Sequence, residues 1–160
     1  MPDLRPVIYL AGPLFTVAER RWNLDLANAL RAHGLRVFLP QEEATRRASG
    51  KAHDARDRFE MSIELIGRCD AVVAVLDGPD IDSGTAFECG VAWKAGKPIV
   101  GLRTDPRVVG GLGQPVNLML SQACASLVEV PQVENSTPDS IARLIVGATD
   151  SILGSEFRNR

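Results

Sequence analysis

No stretch of this 160-residue sequence approaches the roughly 18 consecutive apolar positions of a membrane span, and Met1-Pro2-Asp3-Leu4-Arg5-Pro6 lacks the layout of a secretion signal. The chain is therefore expected to work in the cytoplasm, with no membrane partner. Aromatics are scarce at 5%, and 18 basic against 20 acidic residues give a net charge of -2 with no basic stripe. That argues against a nucleic-acid groove and for a small substrate. Cys69, Cys89 and Cys124 are odd in number and show neither zinc-ligand spacing nor a disulfide framework. They read as buried thiols in a reducing compartment, and no metal or cofactor is implied. No repeat and no shift of composition marks a second unit. With 45% hydrophobic residues, 1–160 reads as a single domain able to bury a core.

What the sequence does have is a regular alternation of short apolar runs and helical patterns. Val7-Ile8-Tyr9-Leu10 is a strand that stops at Ala11-Gly12-Pro13, and Thr16 can cap a helix whose apolar positions Trp22, Leu26, Ala29 and Leu30 recur at helical spacing up to Gly34. Leu35 to Leu39 is a second strand ended by Pro40, and residues 41 to 54 read as a polar loop. A helix is expected from about Ala55 to Gly67. It leads into Ala71-Val72-Val73-Ala74-Val75-Leu76, a run of the kind buried on both faces. Further on come a helix closing at Gly96-Lys97-Pro98, a strand at 98–102, a Gly/Pro-rich loop from Arg103 to Pro115, a short helix near Asn117, and a strand at 126–130. Thr137-Pro138-Asp139 starts a last helix reaching about Leu153. Right-handed crossovers between five such strands most simply give a flavodoxin-like, doubly wound parallel sheet, order 2-1-3-4-5, with helices on both faces.

In that sheet the ends of strands one and three are neighbours, so Ala11-Gly12-Pro13 and the segment from Asp77 to Glu88 face one crevice. Asp82-Ser83-Gly84-Thr85-Ala86-Phe87-Glu88 places a carboxylate in a Gly-containing turn and a second one six residues on, near a helix N-terminus whose dipole favours the ionised form. A lone ionised carboxylate suits displacement at an acetal-like carbon, a class that includes N-glycosidic bonds. Structural roles compete. Thr85-x-x-Glu88 is also a capping box, and Asp82 is also an N-cap. Cys89 as a thiol nucleophile is disfavoured, because His33 and His53 give no sign of partnering it.

The same residues resemble the nucleoside 2-deoxyribosyltransferases. The match runs through Tyr9-Leu10-Ala11-Gly12-Pro13-Leu14-Phe15-Thr16, Cys69-Asp70-Ala71-Val72-Val73-Ala74, Asp82-x-Gly84-x-x-x-Glu88-x-Gly90, Gly96-Lys97-Pro98 and Pro115-Val116-Asn117-Leu118-Met119, in order. The resemblance implies a flavodoxin-like fold and a ping-pong exchange between 2′-deoxynucleosides and free nucleobases. Glu88 attacks C1′, and a second base takes the sugar from the resulting ester. It further implies that Asp82 accepts a hydrogen bond from the sugar 5′-hydroxyl, a position where related deoxynucleotide hydrolases carry a small hydroxyl residue. Phe15 lies against the base, Gly12 and Gly84 admit the ligand, and Tyr9 belongs to the substrate site. Asn117 and Met119 imply a homo-oligomer in which Asn117 reaches a neighbouring subunit's sugar site; by sequence alone Asn117 is a helix cap.

One position departs from the family pattern. Eight residues before Asp70, where the family usually carries Asp or Asn to handle the base or its proton, this chain has Ser62. Serine hydrogen-bonds but is no general acid at neutral pH. The nearest rival activity is hydrolysis through the same glycosyl-enzyme. A phosphoribohydrolase with Gly-Thr-x-x-Glu is a weaker rival, because Asp80-Ile81-Asp82 stands where that family has Pro-Gly-Gly. Asp77 and Thr104 also suggest a receiver-like signalling module, although Ala11-Gly12-Pro13 lacks the acidic pair such a module needs.

Overall fold

The structure, a computed structural model, describes residues 5–47, 54–107, 115–130 and 135–154. Its centre is a five-stranded parallel sheet in the order β2-β1-β3-β4-β5, as expected from the alternation of elements. The strands are β1 (Val7–Ala11), β2 (Arg36–Phe38), β3 (Ala71–Val75), β4 (Ile99–Arg103) and β5 (Ser126–Glu129). Around them lie α1 (Val17–Ala32), α2 (Pro40–Arg47), α3 (Ala55–Arg68), α4 (Ser83–Lys94), α5 (Leu118–Ala123) and α6 (Pro138–Leu153). The two middle pairings are in register as Tyr9 with Val72 and Val75 with Leu102.

Helix ends follow the local chemistry. Thr16 caps α1 in a capping box with Glu19, and Gly34 leaves it at φ +88, a backbone state that an L side chain rarely adopts. Thr137 caps α6 with Pro138 in its first turn. One expected loop is instead a helix. Residues 41–47 of the polar segment belong to α2, which begins at Pro40 and has Glu42 and Glu43 in its first turn. Arg31 of α1 donates to both Glu42 carboxylate oxygens, and Arg46 pairs with Glu43 at 2.7 Å. The remainder of that expected loop, 48–53, and residues 108–114 of the expected Gly/Pro-rich loop lie outside the described residues.

Alternation along the strands sorts the core into two layers. Ile8, Leu10, Val73, Val75, Val100 and Leu102 face α1 and α6, where Leu26, Leu30, Ile141 and Ile145 meet them. Tyr9, Ala11, Val72, Ala74 and Leu76 face α3 and α4, against Met61, Leu65, Ile66, Cys89 and Ala92. This parity puts the Tyr9 side chain on the α3–α4 side of the sheet. It also packs β4 tightly. A Cβ built on Gly101 meets Leu127 Cδ1 at 2.8 Å, and Cys124 Sγ and Leu76 Cδ1 at 2.9 Å. Gly101→Ala is therefore expected to destabilise by about 1–3 kcal/mol. Gly147→Ala, with nothing within 4 Å on the exposed side of α6, should gain about 0.5–1 kcal/mol. Urea midpoints of the two variants against the parent check both signs.

Candidate active site

At the C-terminal edge of β1 and β3 three side chains from three elements meet. Tyr9 of β1 is fully buried, and its phenol donates to Glu88 Oε1 of α4 at 2.5 Å. Ser62 of α3 is hydrogen-bonded with both the Tyr9 phenol and the Glu88 carboxyl. Each is there for a local reason. Parity aims Tyr9 at α3 and α4. Thr85, Cys89 and Ala92 form the buried stripe of α4, so Glu88 at the margin of that stripe is half-buried beside the sheet. Ser62 sits next to buried Met61 on the inward side of α3.

The electrostatics differ from expectation. Burial pushes the Glu88 carboxyl up to about 7; the Tyr9 hydrogen bond pulls it back, the Asp82 charge pushes it further up, and Ser62 pulls it down. The expected ionisation by the helix dipole does not prevail, because α4 begins at Ser83 and Glu88 is in its second turn, where the dipole has faded. Desolvation wins. The Tyr9 phenol is itself raised far above its ordinary value, by burial first and by Glu88 second, so it stays a donor.

Asp82 is the N-cap of α4: its Oδ2 accepts from Thr85 N at 2.8 Å and from Thr85 Oγ1 at 2.9 Å. The capping-box role open to Glu88 is not taken, since Glu88 Oε1 accepts from Tyr9. Gly84 follows the cap; a Cβ there would stand 3.2 Å from Asp82 Oδ2. Gly12, across the crevice, would bring a Cβ to 3.2 Å from Val75 Cβ. Phe15, 78% exposed on the turn after β1, packs in no core. Among the described residues no hydrogen bond joins Asn117 or Met119 to Glu88. Asn117 caps α5 through a bond from Met119 N at 2.8 Å. Met119, 77% exposed, lines a groove of about 260 Å³ between α4 and α5, together with Ala86, Gly90 and Trp93.

The competing chemistries fare worse. The Cys89 thiol is buried and pushed up to about 12, which leaves it inert at neutral pH. His33 bonds Asp139 at 2.8 Å, tying α1 to α6; His53 lies outside the described residues. Asp77 is fully engaged: Oδ1 accepts from the amides of Thr104 and Asp105, and Oδ2 from the Thr104 hydroxyl. A phosphoacceptor needs that carboxylate free.

Asn23 and Arg103 are buried polar residues that the hydropathy pattern does not single out. Asn23, 3% exposed, donates through Nδ2 to the Pro13 carbonyl at 2.8 Å and so fixes the turn that carries Gly12. Its position on the stripe with Leu26, Ala27 and Leu30 was the available signal. Arg103 ends the wholly buried β4.

The sequence pattern of a family described as "Nucleoside 2-deoxyribosyltransferase" matches residues 8–119. An uncharacterized protein of Schizosaccharomyces pombe is 33% identical over 118 residues, 67% of this chain and 54% of that protein, so the chain spans about half the length of this curated relative. A conserved protein from Enterococcus faecalis V583 superposes with a TM-score of 0.69 at 29% identity, covering 89% of this chain and 98% of that one. A 2-deoxyribosyltransferase from Bacillus psychrosaccharolyticus superposes with a TM-score of 0.64 at 26% identity, covering 84% and 95%.

Proposed function

Because the chain belongs to the nucleoside 2-deoxyribosyltransferase family, we propose that it cleaves the N-glycosidic bond of 2′-deoxynucleosides through Glu88 and transfers the sugar to a second nucleobase. The observation that carries this reading is the Glu88 carboxylate held by Tyr9 at the sheet edge, half-buried and poised near neutral pH.

In the first step a Glu88 oxygen forms a bond to C1′ as the C1′–N bond breaks. The base leaves with that electron pair and collects a proton from water, since Ser62 is no acid at neutral pH. In the second step a nitrogen of the incoming base attacks C1′, loses its proton to water, and Glu88 departs as a carboxylate. Tyr9 serves both steps: it holds the nucleophile in place, and its hydrogen bond favours the charged form, which makes Glu88 a better leaving group. Asp82 uses Oδ2 for its own helix, leaving Oδ1 to accept the 5′-hydroxyl. That carboxylate would repel a 5′-phosphate and so favours nucleosides. Phe15 offers an exposed ring to the base, and Gly12 and Gly84 let backbone approach the sugar. Asn117 and exposed Met119, at the start of α5 and with no bond to Glu88, suit a site completed between two copies of the protein.

The test is incubation with a 2′-deoxynucleoside with and without a different free base. Transfer yields a new nucleoside only when that base is present. Free deoxyribose made regardless of added base would replace transfer by hydrolysis. Mass spectrometry of quenched protein should find the 2-deoxyribosyl adduct on Glu88; turnover with the label elsewhere removes the nucleophile assignment.

A further inference from the structure

We propose that Arg103 is a positioning residue for the sugar site: its buried guanidinium clamps the chain leaving β3, which carries Asp82, to the chain leaving β4. The inference rests on the reading of Asp82 given above.

Arg103 is 2% exposed, and its donors go to four carbonyls. Nη1 donates to Leu76 O and to Gly78 O at 2.7 Å, Nε to Asp105 O at 2.9 Å, and Nη2 to Arg107 O at 2.7 Å. Two of these carbonyls belong to the β3 exit and two to the β4 exit. The tie is reciprocal, since Asp77 on the β3 side accepts from Thr104 and Asp105, and the Gly78 amide donates to Asp105 Oδ2 at 3.1 Å. A charge this buried is tolerated only with its donors satisfied, and it spans two segments that no ladder bond joins beyond Leu76 N to Leu102 O. Gly78, at φ +104, turns the chain sharply within the clamp. Four residues later stands Asp82.

What the clamp fixes is therefore the starting point of the loop that ends in the α4 N-cap. If that point drifts, Asp82 Oδ1 loses its aim at the 5′-hydroxyl. Glu88 keeps its place through its own bond to Tyr9, although the Asp82 charge that raises its carboxyl moves with the loop. A residue that merely stabilised the fold would impair all substrates alike.

The experiment compares kcat/KM for a 2′-deoxynucleoside with that for its 2′,5′-dideoxy analogue, in the parent protein, Asp82→Ala and Arg103→Lys. Lysine keeps the charge but cannot span four carbonyls. Expected is a parent preference for the 5′-hydroxyl that Asp82→Ala abolishes. Arg103→Lys should shrink that preference by about tenfold, measured on the high-pH plateau where Glu88 is fully ionised, through kcat/KM for the hydroxylated substrate alone. Thr104→Val, which removes only the hydroxyl bond to Asp77, should shift the preference the same way by less, and it carries the test if Arg103→Lys does not fold. Equal losses on both substrates, or an unchanged preference in a folded variant, overturn the proposal. No exchange by the parent, or a preference that survives Asp82→Ala, overturns the underlying reading and the inference with it, and is recognised before any clamp variant is assayed.

Discussion

Glu88→Gln is expected to lower exchange by about a thousandfold or more, to form no sugar adduct, and to yield a protein more stable than the parent at pH 8. The activity loss follows from the nucleophile. A neutral amide cannot open the glycosidic bond, and removing the attacking group of a covalent mechanism commonly costs at least this much. The stability gain follows from burial. The folded-state value of Glu88, about 7, lies above the ordinary 4.5. Between those two values the folded protein retains a proton that the unfolded chain has released, so stability falls as pH rises through the window and stays reduced above it. Glutamine has no proton to lose and still accepts from Tyr9. The variant should match the parent near pH 4.5 and lead it by on the order of 2 kcal/mol at pH 8. Urea unfolding at the two pH values checks the stability. Undiminished exchange by the folded variant would remove Glu88 from the mechanism.

Such a trade of stability for reactivity marks where residue types stop being legible. The strands could be read because Ala71 to Val75 is apolar on both faces and because Thr16, Gly34 and Thr137-Pro138 punctuate the helices as local chemistry requires. The α2 helix could not, since Gln41 to Arg47 has no apolar stripe and is held by ion pairs to α1 and within itself. Glu88 stood in the sequence as nucleophile or capping box with equal grammar. In the structure Glu88 Oε1 is engaged by the Tyr9 phenol, 79 residues away in the chain, rather than by the turn before its helix. Strand parity could have found this, because it aims Tyr9 at the helix that bears Glu88. Asn23 and Arg103 escaped for a different reason. Hydropathy patterns treat a polar residue in a buried run as noise, whereas here each spends its donors on carbonyls of the turns that border the site.

The pH dependence of kcat/KM should expose the site's wiring, since that parameter reports the titration of the free enzyme. Exchange should rise with pH through a midpoint near 7, set by Glu88, and fall roughly tenfold below its plateau at pH 6. Two variants should move the midpoint in opposite directions. Tyr9→Phe deletes the hydrogen bond that favours the carboxylate, so the midpoint climbs and activity at pH 7 drops, while the plateau at high pH is partly regained. Asp82→Asn deletes a neighbouring negative charge, so the midpoint descends, although the level of activity falls because the 5′-hydroxyl has lost its charged acceptor. Loss of a general acid would show instead as a falling limb at high pH. Non-specific damage would lower the curve without displacing it. A midpoint that stays fixed in Tyr9→Phe would mean that the Tyr9 hydrogen bond does not offset the effect of burial on Glu88, and the coupling between β1 and α4 would have to be abandoned.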